Sequence, residues 1–431
     1  MGKKINLIFE KVLEKSKPSS SELKEINKSL ENFKKKFKER LKSRKIDAEI
    51  FIGGSFAKKT MVKKGTYDID IFLRFDKKYD SNEISNLAYQ SLRGIKKLSV
   101  IHGSRDYFRI QSGRKLFFEI VPVIKINLHQ KEKAENITDL SYAHVNYIRK
   151  KIKAKKYFDE ITLAKVFCHA NNCYGAESYI KGFSGYSLEL LVYYYKSFLK
   201  FIRAVSKLKA GEKLVIDIEK NFRNKQEILM NLNASKLSSP IILIDPTCKQ
   251  RNALAALSEE TFEAFRENCR KFLKNPTEKA FEIKKFDFEK IKTGALNKGF
   301  DFILLMAKTG KQGGDVAGSK LLKFYRHLKL EAEKFFRIKN SGFEYSGKKS
   351  SKFFLVAINK RKAIYVGPRL NDEVNVKKFK KRHKNIFSKS GRIYAEEKIK
   401  LNLNQFIKNW KKENLKKLKE MSINNLKILK V

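Results

Sequence analysis

Four cysteines in 431 residues are too few to staple a chain of this length, and Cys168, Cys173, Cys248 and Cys269 never fall into C-x-x-C spacing. A disulfide framework is excluded, and a reducing, intracellular compartment is expected. No apolar run approaches the length of a membrane span. Met1 to Glu10 begins basic and is then too sparsely apolar for a signal peptide, so a soluble, cytoplasmic protein with no membrane partner is expected. Acidic residues are the other scarcity: 46 Asp+Glu stand against 96 Lys+Arg, a formal net charge of +50. The excess is spread along the chain, which argues against a single disordered basic tail. It ranks polyanions as partners, nucleic acid first and an acidic membrane surface second. What is plentiful favours folding, with 42% hydrophobic and 12% aromatic residues. The length allows two to four domains, each with its own core, and no internal repeat is found.

The chain is organised around Gly53-Gly54-Ser55-Phe56-Ala57-Lys58-Lys59-Thr60, followed by Asp68-Ile69-Asp70. The pattern predicts strand, tight turn, helix start, loop and second strand. Adjacent glycines let the backbone approach a ligand, and Ser55 falls where a helix's first N–H groups are unpaired, a site for phosphate. In the second strand Asp68 and Asp70 share one face, while Ile69, Ile71 and Leu73 point to the other. Two carboxylates side by side repel one another, and a divalent cation between them, Mg²⁺ before others, removes the repulsion. A lone Asp-x-Asp is commonly a pair of solvated carboxylates. Gly-Gly-Ser at this spacing reverses that preference and points to metal-assisted phosphoryl or nucleotidyl transfer.

Before this stretch, Ser19 and Glu22 offer a capping box for a helix carrying Leu23, Ile26, Leu30, Phe33, Phe37 and Leu41 at three- and four-residue steps. Ala48 to Ile52 is the strand leading into the turn. A helix near Asn82 to Leu98 and short strands near Ser99 to His102 and Tyr107 to Ile110 follow. Leu116 to Ile124 is a further strand with Phe117, Glu119 and Val121 on one face. Glu119 is the single acid of an apolar run, so it calls for a cation or a basic partner. From Thr138 to Asn268 the pattern is mostly helical. Residues 269 to 340 are expected to be basic and helix-rich, interrupted by a glycine-rich connection from Gly310 to Ser319. Leu321, Tyr325, Leu328, Ala332 and Phe335 form a core stripe. Strands are expected at Lys352 to Ile358 and Lys362 to Val366, and Phe406 to Leu429 reads as a solvated basic helix.

Gly53-Gly54-Ser55 with Asp68-Ile69-Asp70 resembles the nucleotidyltransferase head shared by DNA polymerase beta, poly(A) polymerases and CCA-adding enzymes. Later segments narrow the likeness: Tyr174-Gly175-Ala176-Glu177, Gly182-Phe183-Ser184-Gly185-Tyr186, Asp245-Pro246 with Arg251-Asn252, and Gly367-Pro368-Arg369-Leu370-Asn371-Asp372. In this order they resemble the archaeal class I CCA-adding tRNA nucleotidyltransferases over nearly the whole chain. The resemblance implies an α+β multidomain fold: a polymerase-beta-like head at 1–137, a helical nucleotide- and primer-binding neck at 138–268, a small α/β body at 269–376 and a basic tRNA-binding tail at 377–431. It implies template-independent addition of C, C and A to the 3′ end of tRNA from CTP and ATP, with two Mg²⁺ ions and release of pyrophosphate. It also implies contacts to the acceptor stem and T arm, and allows a homodimer.

Residue by residue, the resemblance makes Asp68, Asp70 and Glu119 the catalytic metal ligands. The family usually has Asp at the third place, and Glu119 is one methylene longer. Ser55 and Lys58 take the triphosphate-gripping places, the second usually Arg, whose bidentate fork Lys lacks. Met61 stands where Trp is customary, and the loop before Asp68 is one residue longer. His144, Lys165 and Tyr174 match nucleotide-contacting positions, although each alone reads as structural. Arg251 matches the arginine that selects the incoming base with RNA phosphate, its planar donors suiting C and A over U and G. Alternatives are a poly(A) polymerase, an enzyme adding part of the CCA end, and a catalytically inactive RNA-binding relative.

Overall fold

The head is built on strands whose side chains alternate between a greasy and a polar face. In the computed structural model, which describes residues 2–63, 65–126, 136–209, 211–398 and 401–430, these are β1 (Ala48–Ile52), β2 (Tyr67–Phe75), β3 (Leu98–Ile101), β4 (Tyr107–Gln111) and β5 (Leu116–Ile124). They form one sheet in the order β1-β2-β5-β4-β3. β2 and β5 run parallel, and the other pairs are antiparallel. Ile69, Ile71 and Leu73 are fully buried on one face of β2, and Asp68 and Asp70 stand on the other. Helix Ser20–Ser43 covers the greasy face with Ile26, Leu30, Phe37 and Leu41, and Phe33 lies 4.7 Å from Phe118 of β5 between ring centroids. Each such buried side chain contributes about 1.5–3 kcal/mol. The helix begins as expected: Ser19 Oγ accepts from the Glu22 N–H at 3.1 Å, and Glu22 Oε2 accepts from the Ser19 N–H at 2.8 Å.

Two compact units divide the chain, Met1–Lys284 and Lys285–Val431. The first also holds the mostly helical part expected from Thr138. Its helices Ser141–Lys151, Lys155–Ala170, Gly185–Tyr195, Phe198–Lys207 and Glu259–Lys274 share a core rich in phenylalanine, including Phe167, Phe183, Phe198, Phe201, Phe265 and Phe272. The sequence assigned residues 1–137 to the head, yet helix Gly2–Ser16 buries Ile5, Ile8, Phe9 and Val12 in this helical core. An amphipathic stripe fixes which face is buried but not which neighbour covers it. Position 268, the expected end of the neck, falls inside helix Glu259–Lys274. The four described cysteines are free thiols, and Cys168, Cys173 and Cys269 are buried in this core. A small sheet interrupts the helices: β6 (Leu214–Asp217), β7 (Ile241–Asp245) and β8 (Cys248–Asn252). The helical part is tied to the head by Arg105, whose Nη1 lies 2.5 Å from Asp139 Oδ1, both side chains being buried.

The second unit contains a four-stranded sheet ordered β10-β11-β9-β15, from β9 (Asp301–Thr309), β10 (Phe336–Tyr345), β11 (Ser350–Asn359) and β15 (Ile423–Leu429). Helix Asp315–Glu333 packs Leu321, Phe324, Leu328 and Ala332 against it. A second sheet, β12 (Lys362–Arg369), β14 (Arg392–Lys398) and β13 (Ile386–Lys389), carries helix Glu373–Arg382, within which position 376 falls. Two expectations are corrected here. The helix-rich stretch to 340 contains β9 and the start of β10. The C-terminal segment is not a solvated helix: Phe406, Ile407, Trp410, Leu418 and Leu426 are buried, and β15 pairs with β9.

Candidate active site

The turn after β1 is shaped by two close approaches that only glycine allows. The Gly53 N–H donates to Asp70 O at 2.9 Å, and a Cβ at Gly53 would lie 2.2 Å from the Phe72 ring. Gly54 has φ +60°, and a Cβ there would lie 1.7 Å from Asp70 Oδ2. The backbone is thereby pressed against a carboxylate. A single helical turn, Gly54–Ala57, follows, and the Thr60 N–H closes the loop on Ser55 O at 2.9 Å. The first N–H groups of such a turn have no acceptor within it. The expected extra loop residue before Asp68 falls in a segment that includes Lys64, which lies outside the described residues.

The parallel β2–β5 ladder places Asp70 opposite Glu119 and Asp68 opposite Phe117. Asp70 and Glu119 thus come from neighbouring strands, with Asp68 two residues along the same face. Burial raises the Asp70 carboxyl above its usual range, with the Asp68 charge adding to the rise and Lys58 and Lys165 opposing it. Burial, then Asp70 and Asp68, push Glu119 up to about 7 against the pull of Arg109. Hard oxygen donors set so close that the ionisation of Asp70 and Glu119 is disfavoured suit a divalent cation, which would reverse the repulsion. As the side chains lie, no group of three His, Cys, Asp or Glu among the described residues is placed to hold one ion. Arg109 instead reaches both Asp68, at 2.6 Å, and Glu119, at 3.4 Å.

The two lysines of the sequence reading meet at a residue that it passed over. Lys58 Nζ donates to Glu189 Oε2 at 2.7 Å, and Lys165 Nζ donates to Glu189 Oε1 at 2.9 Å. Lys165 also donates to Thr60 Oγ1 at 2.8 Å and Thr60 O at 3.1 Å, so its three protons all have protein acceptors. Glu189 is fully buried on helix Gly185–Tyr195. Burial alone would raise its carboxyl, but Lys165 and Lys58 outweigh that and hold it at about 2. The signal was available: Glu189 is a lone acid among Leu188, Leu190 and Leu191, the same anomaly that singled out Glu119.

His144 and Arg251 meet at a second buried acid, Asp245 at the end of β7. Asp245 accepts from Arg251 Nη1 at 2.6 Å, Tyr186 Oη at 2.9 Å, and the Thr247 N–H and Oγ1, each at 2.8 Å; His144 Nε2 lies 2.9 Å from Asp245 Oδ2. Burial opposes its ionisation, but His144 and Arg251 keep it far below the carboxylate range. Burial lowers His144 and so favours the neutral ring, against the pull of Asp245 toward the charged one. His144 stacks on Tyr186 at 4.1 Å, and Lys58 Nζ lies 5.9 Å from the same ring, which links the two clusters.

One pocket gathers Ser55, Asp68, Asp70, Lys165 and Tyr174, all expected at the site, together with Thr60 and His169. His169 stacks on Tyr174 with centroids 3.8 Å apart. Its position four residues after Lys165 on one helix was the signal for it. Glu119 pairs with Asp70 across the ladder without lining this pocket, and Lys58, His144 and Arg251 belong to the two acid-centred clusters rather than to its lining.

A family profile described as a nucleotidyltransferase domain matches residues 30–157, and one described as the second domain of tRNA nucleotidyltransferase matches residues 159–282. The chain is 34% identical over 356 residues to a CCA-adding enzyme of Nanoarchaeum equitans, covering 80% of this chain and 83% of that one. It is 26% identical over 403 residues to a CCA-adding enzyme of Archaeoglobus fulgidus, covering 91% and 86%. The match to that of Methanosarcina mazei is 31% over 276 residues and spans 56% of the relative's length. A crystal structure of a poly(U) polymerase with Mg and 3′-dATP bound superposes with a TM-score of 0.51 at 16% identity, over 66% of this chain and 100% of that one. At that identity the likeness speaks for the fold alone.

Proposed function

The chain belongs to the family of CCA-adding tRNA nucleotidyltransferases, and on that premise we propose that Asp68, Asp70 and Glu119 form its catalytic centre. Its activity is the addition of CCA to the 3′ end of tRNA. CTP and ATP are the nucleotides. The three carboxylates would hold two Mg²⁺, which supply acidification of the RNA 3′-hydroxyl and charge compensation for the departing pyrophosphate.

The chain's own residues bind and orient. The turn at Ser55 offers N–H groups to the triphosphate. Lys58 has two ammonium protons beyond its bond to Glu189 and adds charge there. Lys165 acts through Thr60, holding the loop that carries Ser55 and Lys58. Tyr174, backed by His169, offers a ring face at the pocket wall. Arg251 is fixed through Nη1 on Asp245, while its Nε is buried without a hydrogen-bond partner. The rest of its planar guanidinium, on a side chain 21% exposed, offers the donors that would read the incoming base. The head at 1–137 carries the chemistry and the neck at 138–268 the choice of base. The body and tail at 269–376 and 377–431 hold the acceptor stem and T arm by shape and charge. A cytoplasmic homodimer is the proposed state, tested by sedimentation at several protein concentrations.

The observation that carries this proposal is the ladder register of Asp70 with Glu119, on the sheet whose glycine turn touches Asp70. The test is to sequence products made on tRNA lacking its end. CTP alone should give C and CC, and CTP with ATP should give CCA and stop. Unlimited A addition to unrelated RNA would instead establish a poly(A) polymerase.

A further inference from the structure

Arg109 is a cation that the chemistry above leaves unused. It lies on β4, opposite Glu119 of β5 in the antiparallel ladder. Its Nη2 donates to Asp68 Oδ1 at 2.6 Å, and its Nε stands 3.4 Å from Glu119 Oε1. That Nε is buried and makes no hydrogen bond. The guanidinium is therefore stretched between two carboxylates and seated as a bidentate fork on neither. Its carbon lies 4.0 Å from the centre of the Phe117 ring, and Phe117 is the β5 residue opposite Asp68. The side chain is 36% exposed, so it is not locked in place by packing.

We propose that Arg109 is a built-in counter-cation, which offsets part of the negative charge of Asp68 and Glu119 in the metal-free protein and competes with a divalent ion for their oxygens. The inference rests on Asp68, Asp70 and Glu119 being the metal-holding set. Adjacent carboxylates on a rigid sheet repel unless a positive charge lies among them, and Arg109 supplies that charge from within the chain. An oxygen that accepts a short, charge-assisted bond at 2.6 Å cannot also face a metal ion without bringing two cations together. Loading the site then requires the guanidinium to leave Asp68. The Phe117 face beneath it offers a place to stay, because an aromatic ring attracts a guanidinium and makes no claim on the carboxylates.

The test is a Mn²⁺ titration by calorimetry, with melting curves in parallel, on the full chain without nucleotide. Wild type, Arg109→Gln and Asp70→Asn are compared. Arg109→Gln should bind Mn²⁺ roughly fivefold tighter, the scale of losing one partly exposed competing ion pair. Its metal-free form should melt lower than wild type, and saturating Mn²⁺ should close the gap. Weaker or equal Mn²⁺ binding by Arg109→Gln would overturn the proposal and make Arg109 a support that orients the carboxylates. If Gln at this position prevents folding, Arg109→Lys, which keeps the charge but cannot span both carboxylates, must show the same direction at smaller size. Asp70→Asn separates the two claims: Mn²⁺ binding retained there would overturn the metal-holding set itself, whereas its loss leaves Arg109 as the only question.

Discussion

At the residue scale, single side chains with unusual surroundings carry the site. Gly54 is one, because its φ of +60° and its contact with Asp70 leave no room for a methyl group. Gly54→Ala should cost about 1–2 kcal/mol of stability from backbone strain. It should cost at least about tenfold in kcat by displacing Asp70, while tRNA binding measured by filter retention stays near wild type. Glu189 is another. Removing it leaves Lys58 and Lys165 buried without their counter-charge, so Glu189→Ala should destabilise by about 3–5 kcal/mol in a denaturant titration. The pH dependence follows from its depressed carboxyl. Between its unfolded value, 4.5, and about 2, the unfolded chain binds a proton that folded Glu189 does not. Stability from this group is therefore full above 4.5 and lost as pH falls toward 2. Melting curves of Glu189→Gln should be flatter across that window than those of wild type. Glu189 was as legible in the sequence as Glu119, since both are single acids in apolar runs. Arg109 was not, because its partners depend on strand order, which no spacing within β4 reveals.

At the scale of the element, legibility followed periodicity. β2 could be read with its faces because Asp68 and Asp70 alternate with Tyr67, Ile69 and Ile71, and β5 because Glu119 is the one acid of an apolar nine-residue run. The helix Ser20–Ser43 announced itself through a capping box and a three- and four-residue stripe. β9 was lost because Phe302 to Ala307 is a continuous apolar run, which periodicity alone cannot assign to strand or helix. β15 was lost because Asn424, Asn425 and Lys427 blur its alternation and its partner β9 is more than a hundred residues away in the chain. Yet Leu426 of β15 is 1% exposed and pairs with Ala307. Leu426→Asp would bury an unpaired carboxylate there, and calorimetry of the full chain should show a loss of about 3 kcal/mol or more. An unchanged melting profile would mean that β15 does not complete this sheet.

At the scale of the whole molecule, charge sets the behaviour toward RNA. A net charge of +50 spread over both units should make tRNA binding strongly salt-dependent. If six or more phosphates are neutralised, affinity should fall on the order of a thousandfold between 50 and 200 mM salt. A flat salt profile would mean that the lysines are only a solvated coat. Among the described residues no helix is long and apolar enough to cross a membrane. The division of labour between chemistry and capture is what Asp70→Ala tests most directly, with nucleotide addition to tRNA lacking its CCA end and tRNA affinity measured on the same protein. Addition abolished with affinity within about twofold of wild type is the predicted result, since one carboxylate facing the pocket contributes little to a surface of lysines. CCA addition persisting in Asp70→Ala would contradict the assignment of these carboxylates as the centre where the nucleotide is transferred.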